Sequence, residues 1–143
     1  ILEYPDWVNT IAVTSDGKFF FILQYRHGLQ QTSYELCAGV CEKEDASPLA
    51  SAQRELLEET GYGNGSWQEY MQISPNPSTH TNITYCFLAT GVEKISEQHL
   101  EDTESLSVHL LTLAEVKELL QKGEIKQALM AAPLWKYIAE KGL

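Results

Sequence analysis

The chain alternates apolar stretches with short polar segments that contain glycine, the arrangement of a domain built from strands and helices. Residues 7–14 and 18–26 are rich in apolar, β-branched and aromatic side chains, and Ser15-Asp16-Gly17 between them indicates a β-hairpin. Five consecutive apolar residues, 19–23, favour a strand that is covered on both faces. We therefore expect a layer of structure on each side of this hairpin.

About six strands and three helices are predicted along the chain. After the hairpin, the strands lie at residues 34–40, 67–73, 83–90 and 106–111. The helices lie at residues 48–60, 113–122, where Thr112 and Glu115 form a capping box, and 133–141, where Pro133 begins the helix. These elements predict a single α/β domain over residues 1–143, an α/β/α sandwich around a mixed β-sheet.

The helix at 48–60 has clear ends in the sequence. Ser47 is a favourable N-cap, Pro48 suits the first helical position, and Gly61 provides a left-handed stop. The apolar stripe of this helix consists of Leu49, Ala52 and Leu56. Glu55 and Glu59 point away from the stripe, so we expect one face to pack and another to carry chemistry.

Three carboxylates of this helix fall within one turn. Glu58 and Glu59 follow Glu55 at positions i+3 and i+4, and Arg54 offers an i,i+4 bond only to Glu58. Like charges at these spacings destabilise an isolated helix by about 0.2–0.5 kcal/mol per pair, so a cation is expected beside them. A hard divalent ion, Mg²⁺ or Mn²⁺, suits such a cluster. The alternative is a solvated acidic surface.

The segment 54–62 resembles the second half of the Nudix box. It reads Arg-Glu-Leu-Leu-Glu-Glu-Thr-Gly-Tyr and matches the family at every fixed position. The resemblance implies a metal-dependent hydrolase of nucleoside diphosphates linked to another group. It also implies that Glu55, Glu58 and Glu59, with the carbonyl of Gly39, bind the metal. Glu58 is also a candidate catalytic residue, and Arg54 is expected to orient the glutamates.

The first half of the box departs from the family pattern. Gly39 lies one residue farther from the arginine than the family's glycine, and Ala46 occupies the position of a family acid. An insertion within residues 40–45 would explain both departures, with Glu44 or Asp45 replacing the missing carboxylate. A plain turn is the alternative interpretation of Gly39.

Other segments resemble the ADP-ribose pyrophosphatases of this family. The segment 35–39, Glu-Leu-Cys-Ala-Gly, is similar to their Glu-Leu-Pro-Ala-Gly. Pro77 is similar to their downstream proline, although Ser78 and Asn82 differ from the residues that usually follow it. The resemblance implies that Glu35 and Pro77 bind substrate. A structural turn is the alternative for Pro77.

Two charged residues outside the box are further candidates. Arg26 ends the second predicted strand, where it could pair bidentately with a substrate phosphate; a solvated arginine is the alternative. Glu104 lies in an acidic run before the strand at 106–111, and the corresponding loop of related enzymes often carries the general base. We expect Glu104 to accept the proton of the attacking water, with plain surface acidity as the alternative.

Charge and composition exclude several classes of partner. The net charge of −10 argues against a surface that wraps nucleic acid, because such surfaces neutralise phosphates with Lys and Arg. The sequence has no apolar run of transmembrane length, so no membrane association is expected. Three cysteines without a paired spacing indicate packed thiols in a reducing cytoplasm.

The chain starts at Ile1 and has no initiator methionine, so we expect that an N-terminal segment of the natural protein precedes it. Family members build sites across a subunit interface, and Ile1, Leu2, Tyr4 and Trp7 are apolar or aromatic. We therefore expect a homodimer that covers these residues in part. Light scattering of the full-length protein at micromolar concentration tests this expectation.

Among functions, hydrolysis of ADP-ribose or a related nucleotide sugar ranks first. One alternative is a nucleoside-triphosphate sanitising pyrophosphohydrolase. Another is a non-catalytic Nudix-like module that binds a nucleotide metabolite. The intact glutamates favour catalysis, whereas the loss of an acid at Ala46 favours the module.

Overall fold

The computed structural model describes residues 1, 3–98 and 106–142. Its strands are β1 (Trp7–Thr14), β2 (Phe19–Arg26), β3 (Gln31–Glu35), β4 (Cys37–Val40), β5 (Tyr62–Gly63), β6 (Ser66–Ile73), β7 (Thr84–Lys94) and β8 (Leu106–Leu111). Its helices are α1 (Pro48–Thr60), α2 (Leu113–Gln121) and α3 (Ala128–Glu140). None of the described helices is long and apolar enough to cross a membrane.

The strands form one mixed sheet with β1 at its centre. β1 runs parallel to β7 and antiparallel to β2 and β4, which confirms the predicted hairpin. β3 and β8 pair with β2 on one side, and β5 and β6 pair with β7 on the other. The described elements therefore confirm a mixed sheet with three helices.

The central hairpin opens into a fork. β1 and β2 pair only near the turn, at Val13 and Phe19. Farther along β1, the strand β4 takes the place of β2, with Trp7 opposite Val40 and Val8 opposite Gly39. β2 pairs there with β3 instead. The fork separates the two strand pairs and creates space between them.

Helices cover both faces of the sheet, as the apolar run at 19–23 predicted. Ile11 and Phe21 belong to an apolar cluster that includes residues of α2 and α3. Their neighbours Ala12 and Phe20 belong to a second cluster with Leu56 of α1. Because side chains alternate between the two faces of a strand, β1 and β2 contribute to both layers. The predicted sandwich is confirmed.

The cysteines are free thiols. Cys37 and Cys86 are buried and Cys41 is partly exposed, so the prediction of packed thiols is confirmed for the first two. Burial raises the pKa of Cys86 to about 12, which keeps this thiol protonated at neutral pH.

Several elements differ from the prediction: β3 begins at Gln31, β7 continues to Lys94, and β5 was not predicted. The strand predicted at 34–40 is two strands, which separate at the buried Leu36. Before Leu36, β3 pairs with β2, and after it β4 pairs with β1. The last helix begins at Ala128 and not at Pro133, which lies inside it. Proline is unfavourable inside a helix because it has no N–H for the carbonyl four residues earlier.

The carbonyl left without that donor belongs to Leu129, and a buried side chain of β1 supplies the missing hydrogen bond. Asn9 Nδ2 donates to Leu129 O at 2.9 Å, and Asn9 is 1% exposed. An unpaired buried carbonyl is costly, so this bond allows α3 to continue through Pro133. It also fixes the first turns of α3 to the sheet.

We predict that Asn9→Leu lowers the free energy of unfolding by about 1 kcal/mol, because Leu129 O loses its donor. The loss of stability is small because the substitution also removes Asn9 Oδ1, a buried atom without a hydrogen-bond partner among the described residues. Urea denaturation of a double-mutant cycle with Pro133→Ala measures the effect. The Asn9→Leu penalty should shrink in the Pro133→Ala background, where residue 133 has an N–H; equal penalties in both backgrounds would contradict the explanation.

Candidate active site

The acidic helix α1 has the ends that its sequence predicts. Ser47 Oγ accepts a hydrogen bond from Ala50 N at 3.1 Å. Gly61 has a left-handed φ of 78°, and its N–H donates to Leu57 O at 2.8 Å. A Cβ at Gly61 would lie 2.2 Å from the carbonyl oxygen of Ser96, so both space and backbone conformation require glycine there.

One face of α1 packs on the sheet. Ala52 and Leu56 are buried as predicted, whereas Leu49, in the first turn, is exposed. The acidic face is graded: the side chain of Glu58 is 43% exposed and that of Glu55 is 18% exposed. Glu59 is buried, which the expectation of an outward-pointing carboxylate missed. The three carboxylates thus run from solvent into the protein along one helical turn.

Arg54 connects this face with the segment before the helix. Its guanidinium contacts Asp45 bidentately, with Nε–Oδ1 at 3.1 Å and Nη2–Oδ2 at 2.9 Å. Nη1 donates to Glu55 Oε1 at 2.9 Å and to Glu58 Oε2 at 3.5 Å. Nη2 also donates to the carbonyl of Val40 at 3.1 Å. Arg54 therefore connects two glutamates of the helix with the Asp45 carboxylate and the Val40 carbonyl of the preceding segment.

Of the two acids expected to replace the one missing at Ala46, Glu44 is exposed and Asp45 contacts Arg54. Besides Arg54, Asp45 accepts hydrogen bonds from Ser51 Oγ at 2.7 Å and from the backbone N–H of Glu42 at 3.0 Å. The hydrogen bond from Arg54, followed by that from Ser51, holds the pKa of Asp45 well below its usual range. The carboxylate is therefore charged throughout the neutral range and lies against the arginine.

Gly39 lies directly against Glu55. A Cβ at Gly39 would be 2.2 Å from Glu55 Cδ and 2.3 Å from Oε1, so any side chain at residue 39 would displace the carboxylate. The φ of Gly39 is not in the left-handed region, so the constraint is one of space. The structure thus brings together two of the residues expected to bind metal.

A cavity of about 820 Å³ opens in the fork of the sheet, beside Gly39. Its size is that of a small-molecule site. The cavity is lined by Trp7, Val8, Asn9, Arg26, Glu35, Gly39, Thr84, Lys126 and Met130, among others. Pro77 is exposed and does not line it.

Arg26 and Glu35 form an ion pair inside this cavity. Arg26 Nε donates to Glu35 Oε2 at 2.7 Å, and Nη2 donates to Oε1 at 2.5 Å. The Glu35 side chain is 4% exposed and that of Arg26 is 44% exposed. The bond to Glu35, and to a lesser degree the charge of Glu59, raises the pKa of Arg26. Arg26 is thus an exposed but ion-paired residue at the end of β2, and Glu35 is buried.

Sequence reasoning missed other residues of the cavity. Asn9 and Thr84 are polar and buried, and a polar residue within an apolar strand was the available signal. Lys126 lies outside any motif and gave no signal. Glu104 and Asp102 lie outside the described residues, so the expected role of Glu104 stays a prediction.

The described side chains do not form an assembled metal centre. Within the part of the chain that the structure covers, no three His, Cys, Asp or Glu residues converge into a metal site. Glu55 and Glu58 contact the guanidinium of Arg54 instead. The close approach of Gly39 to Glu55 and the all-oxygen donor set nevertheless fit a hard divalent cation.

Comparison with solved structures supports the architecture. The crystal structure of an ADP compounds hydrolase matches with a TM-score of 0.81 and 21% identity, covering 96% of this chain and 74% of that one. A structure from a study of MutT from Aliivibrio salmonicida and Vibrio cholerae matches with a TM-score of 0.60 and 18% identity, covering 79% of this chain and 83% of that one. At these identities the matches show the fold.

Curated relatives match over most of the chain. An ADP-ribose pyrophosphatase of Bacillus subtilis (strain 168) is 32% identical over 129 residues, which cover 90% of this chain and 69% of that protein. A methanol dehydrogenase activator of Bacillus methanolicus is 30% identical, covering 87% and 68%. An ADP-ribose pyrophosphatase of Mycobacterium tuberculosis is 27% identical, covering 92% and 64%. The NUDIX domain family model matches residues 5–132, and the chain belongs to the NUDIX family.

Proposed function

We propose that the chain is a metal-dependent pyrophosphatase that hydrolyses ADP-ribose or a closely related nucleotide sugar. The observation that carries the proposal is the approach of Gly39, in the wall of the cavity, to Glu55 on the acidic face of α1. A substrate in the cavity would thereby have its diphosphate beside the glutamates. The two relatives named ADP-ribose pyrophosphatase support this choice of substrate.

Mg²⁺ or Mn²⁺ is the cation that we propose for the acidic face, because both prefer hard oxygen ligands. Glu55, Glu58, Glu59 and the carbonyl of Gly39 are the proposed ligands. Arg54 bonds two of these glutamates in the described arrangement, so both carboxylates would have to turn toward the cation in order to hold it. Arg54 remains beside them as the residue that orients them.

When bound, the cation neutralises charge on the diphosphate and makes water more acidic. The residues of the chain supply the remaining steps. Glu104 accepts a proton as the water oxygen bonds to one phosphorus, and the bridging oxygen leaves with the other phosphate. ADP-ribose then gives AMP and ribose 5-phosphate. Arg26, fixed by Glu35, keeps the N–H groups of Nη1 for a phosphate oxygen.

The alternatives are a nucleoside-triphosphate pyrophosphohydrolase and a non-catalytic binding module. The module was favoured by the loss of an acid at Ala46, but Asp45 restores a carboxylate against Arg54 and so supports catalysis. GDP-mannose pyrophosphatases of Klebsiella pneumoniae and Enterobacter are also similar, at 26% and 25% identity, so GDP-mannose belongs in the substrate panel.

The compartment and the oligomeric state are further parts of the proposal. Free cysteines support a reducing cytoplasm. The homodimer stays a prediction, supported by the exposed Ile1 and Tyr4 near the start of the chain. Pro77 stays a substrate-binding candidate only if such an interface extends the cavity toward its loop.

We expect hydrolysis of ADP-ribose with Mg²⁺ or Mn²⁺ and none with excess EDTA. Glu58→Gln and Glu59→Gln should each lower kcat at least about a hundredfold, because each removes a charged ligand while keeping the side-chain volume. Glu97→Gln, whose side chain is 86% exposed, is the matched control and should retain wild-type kcat.

A panel of ADP-ribose, GDP-mannose, dinucleoside diphosphates and nucleoside triphosphates, compared by kcat/KM, identifies the substrate class. Near wild-type kcat in both glutamine variants at saturating Mg²⁺ would refute the metal assignment. A higher kcat/KM for a nucleoside triphosphate than for ADP-ribose would support the nucleoside-triphosphate pyrophosphohydrolase. Nucleotide binding without turnover would support the binding module.

Asp45→Asn should lower kcat/KM about 10- to 100-fold, because the amide cannot hold Arg54 bidentately and the glutamates lose their orientation. Glu44→Gln is the matched control, since Glu44 is an exposed acid one residue away. Steady-state kinetics of both variants test this. An equal effect of the two substitutions would mean that loop charge matters and that the Asp45–Arg54 geometry does not.

Glu104→Gln should lower kcat by about 10² to 10⁴ with little change in KM, the pattern for a group that acts only in the transition state. Asp102→Asn removes a neighbouring acid and should have little effect. Loss of kcat in Asp102→Asn alone would move the base to residue 102. If neither substitution changes kcat, the base comes from α1.

A further inference from the structure

The basic residues of the cavity differ in how much positive charge they offer to a ligand. Arg26 is bonded bidentately to the buried carboxylate of Glu35, so the pair is close to neutral as a unit. A diphosphate is negatively charged, and the chain has a net charge of −10, so the protein as a whole repels such a ligand. A substrate anion in this cavity therefore needs a positive charge that no carboxylate of the protein already compensates.

Lys126 also lines the cavity, as does His27, and the fold fixes the position of Lys126. It lies in the connection between α2 and α3, where Gly123, with φ of 70°, turns the chain after α2. Its neighbour Ile125 is buried in the cluster that joins both helices to the sheet. With Ile125 anchored in the core, Lys126 is exposed and lines the cavity.

The partner of Lys126 is neutral. Its Nζ donates to Gln31 Oε1 at 3.3 Å, and among the described residues it forms no ion pair. Gln31 pairs with Arg26 in the register of β2 and β3, so the Lys126 ammonium group lies beside the Arg26 strand end. The cavity thus has Gly39, which approaches Glu55, at one wall, and at another wall a lysine that forms no ion pair with the residues that the structure describes.

We propose that Lys126 is a substrate-binding residue, donating from Nζ to the anionic diphosphate or to a phosphate-linked oxygen next to it. This inference rests on the proposed function of the cavity and adds a residue that no motif contains. The N-terminal turn of α3 supports it, because Gln127 and Leu129 also line the cavity and the positive end of a helix dipole favours an anion.

In this role Lys126 releases the amide of Gln31 and bonds the ligand instead. Exchange of a neutral partner for a charged one strengthens the hydrogen bond, whereas release of Arg26 would leave the buried Glu35 unpaired. Arg26 therefore presents fixed donors to the ligand, and Lys126 supplies the net charge.

The test uses Lys126→Gln, Lys126→Arg and, as the matched control from the same connection, Lys122→Gln. Lys122 is 60% exposed and pairs with Glu118, so its loss changes the net charge equally without touching the cavity. Calorimetry measures the Kd of ADP with Mg²⁺ at low and high NaCl, kinetics measure KM and kcat for ADP-ribose, and thermal unfolding checks the fold.

We expect Lys126→Gln to raise the Kd of ADP and the KM for ADP-ribose about 10- to 100-fold, with kcat nearly unchanged. Lys126→Arg should restore most of the affinity, and Lys122→Gln should match the wild type. The difference in Kd between Lys126→Gln and the wild type should be smaller in high salt. An unchanged Kd and KM in Lys126→Gln, or an equal effect of Lys122→Gln, overturns the inference.

The role of Lys126 and the hydrolysis of ADP-ribose can fail independently of each other. Wild-type turnover of ADP-ribose with an unchanged KM in Lys126→Gln would overturn the role of Lys126 alone. Binding of ADP that depends on Lys126, in a protein that hydrolyses nothing in the panel, would support the inference and overturn the catalytic proposal.

Discussion

The bidentate pair between Arg54 and Asp45 connects the two parts of the chain that the site needs. One part is a helix whose carboxylates repel each other, and the other is the irregular segment that follows β4. Arg54 bonds Asp45 and the carbonyl of Val40 on the segment, and Glu55 and Glu58 on the helix. The fixed planar geometry of the guanidinium makes these bonds mutually dependent. A lysine would offer a point charge and could not hold both sides in one orientation.

The sheet provides the surroundings in which this pair becomes useful. β1 and β2 separate after a short contact, and the space between their new partners becomes the cavity. Apolar side chains of β1 and β2 pack against α2 and α3 on one face and against α1 on the other. The polar groups at the walls of the cavity are then fixed by specific bonds, such as Arg26 with Glu35 and Asn9 with the carbonyl of Leu129. The site is a consequence of how strand partners change.

Local signals in the sequence were sufficient for much of this arrangement. The N-cap at Ser47, the stop at Gly61 and the hairpin at 15–17 each depend on neighbouring residues, and each was found where it was predicted. The start of α3 was missed because the bond that permits Pro133 comes from Asn9, which is far away in sequence. The choice between Glu44 and Asp45 likewise required the direction of a side chain toward Arg54. The place of Lys126 depends on a burial contact of Ile125 that no motif describes.

The approach of Gly39 to Glu55 separates the requirements of folding from those of the site. The three atoms nearest to a methyl group at residue 39 would all belong to the flexible side chain of Glu55, and none to the backbone. The cost would fall on the position of the Glu55 carboxylate and not on packing. An alanine at this position is thus compatible with a folded protein in which the Glu55 carboxylate is displaced. A measurement of stability would therefore not detect the requirement for glycine at residue 39, because that requirement concerns only the position of the Glu55 carboxylate.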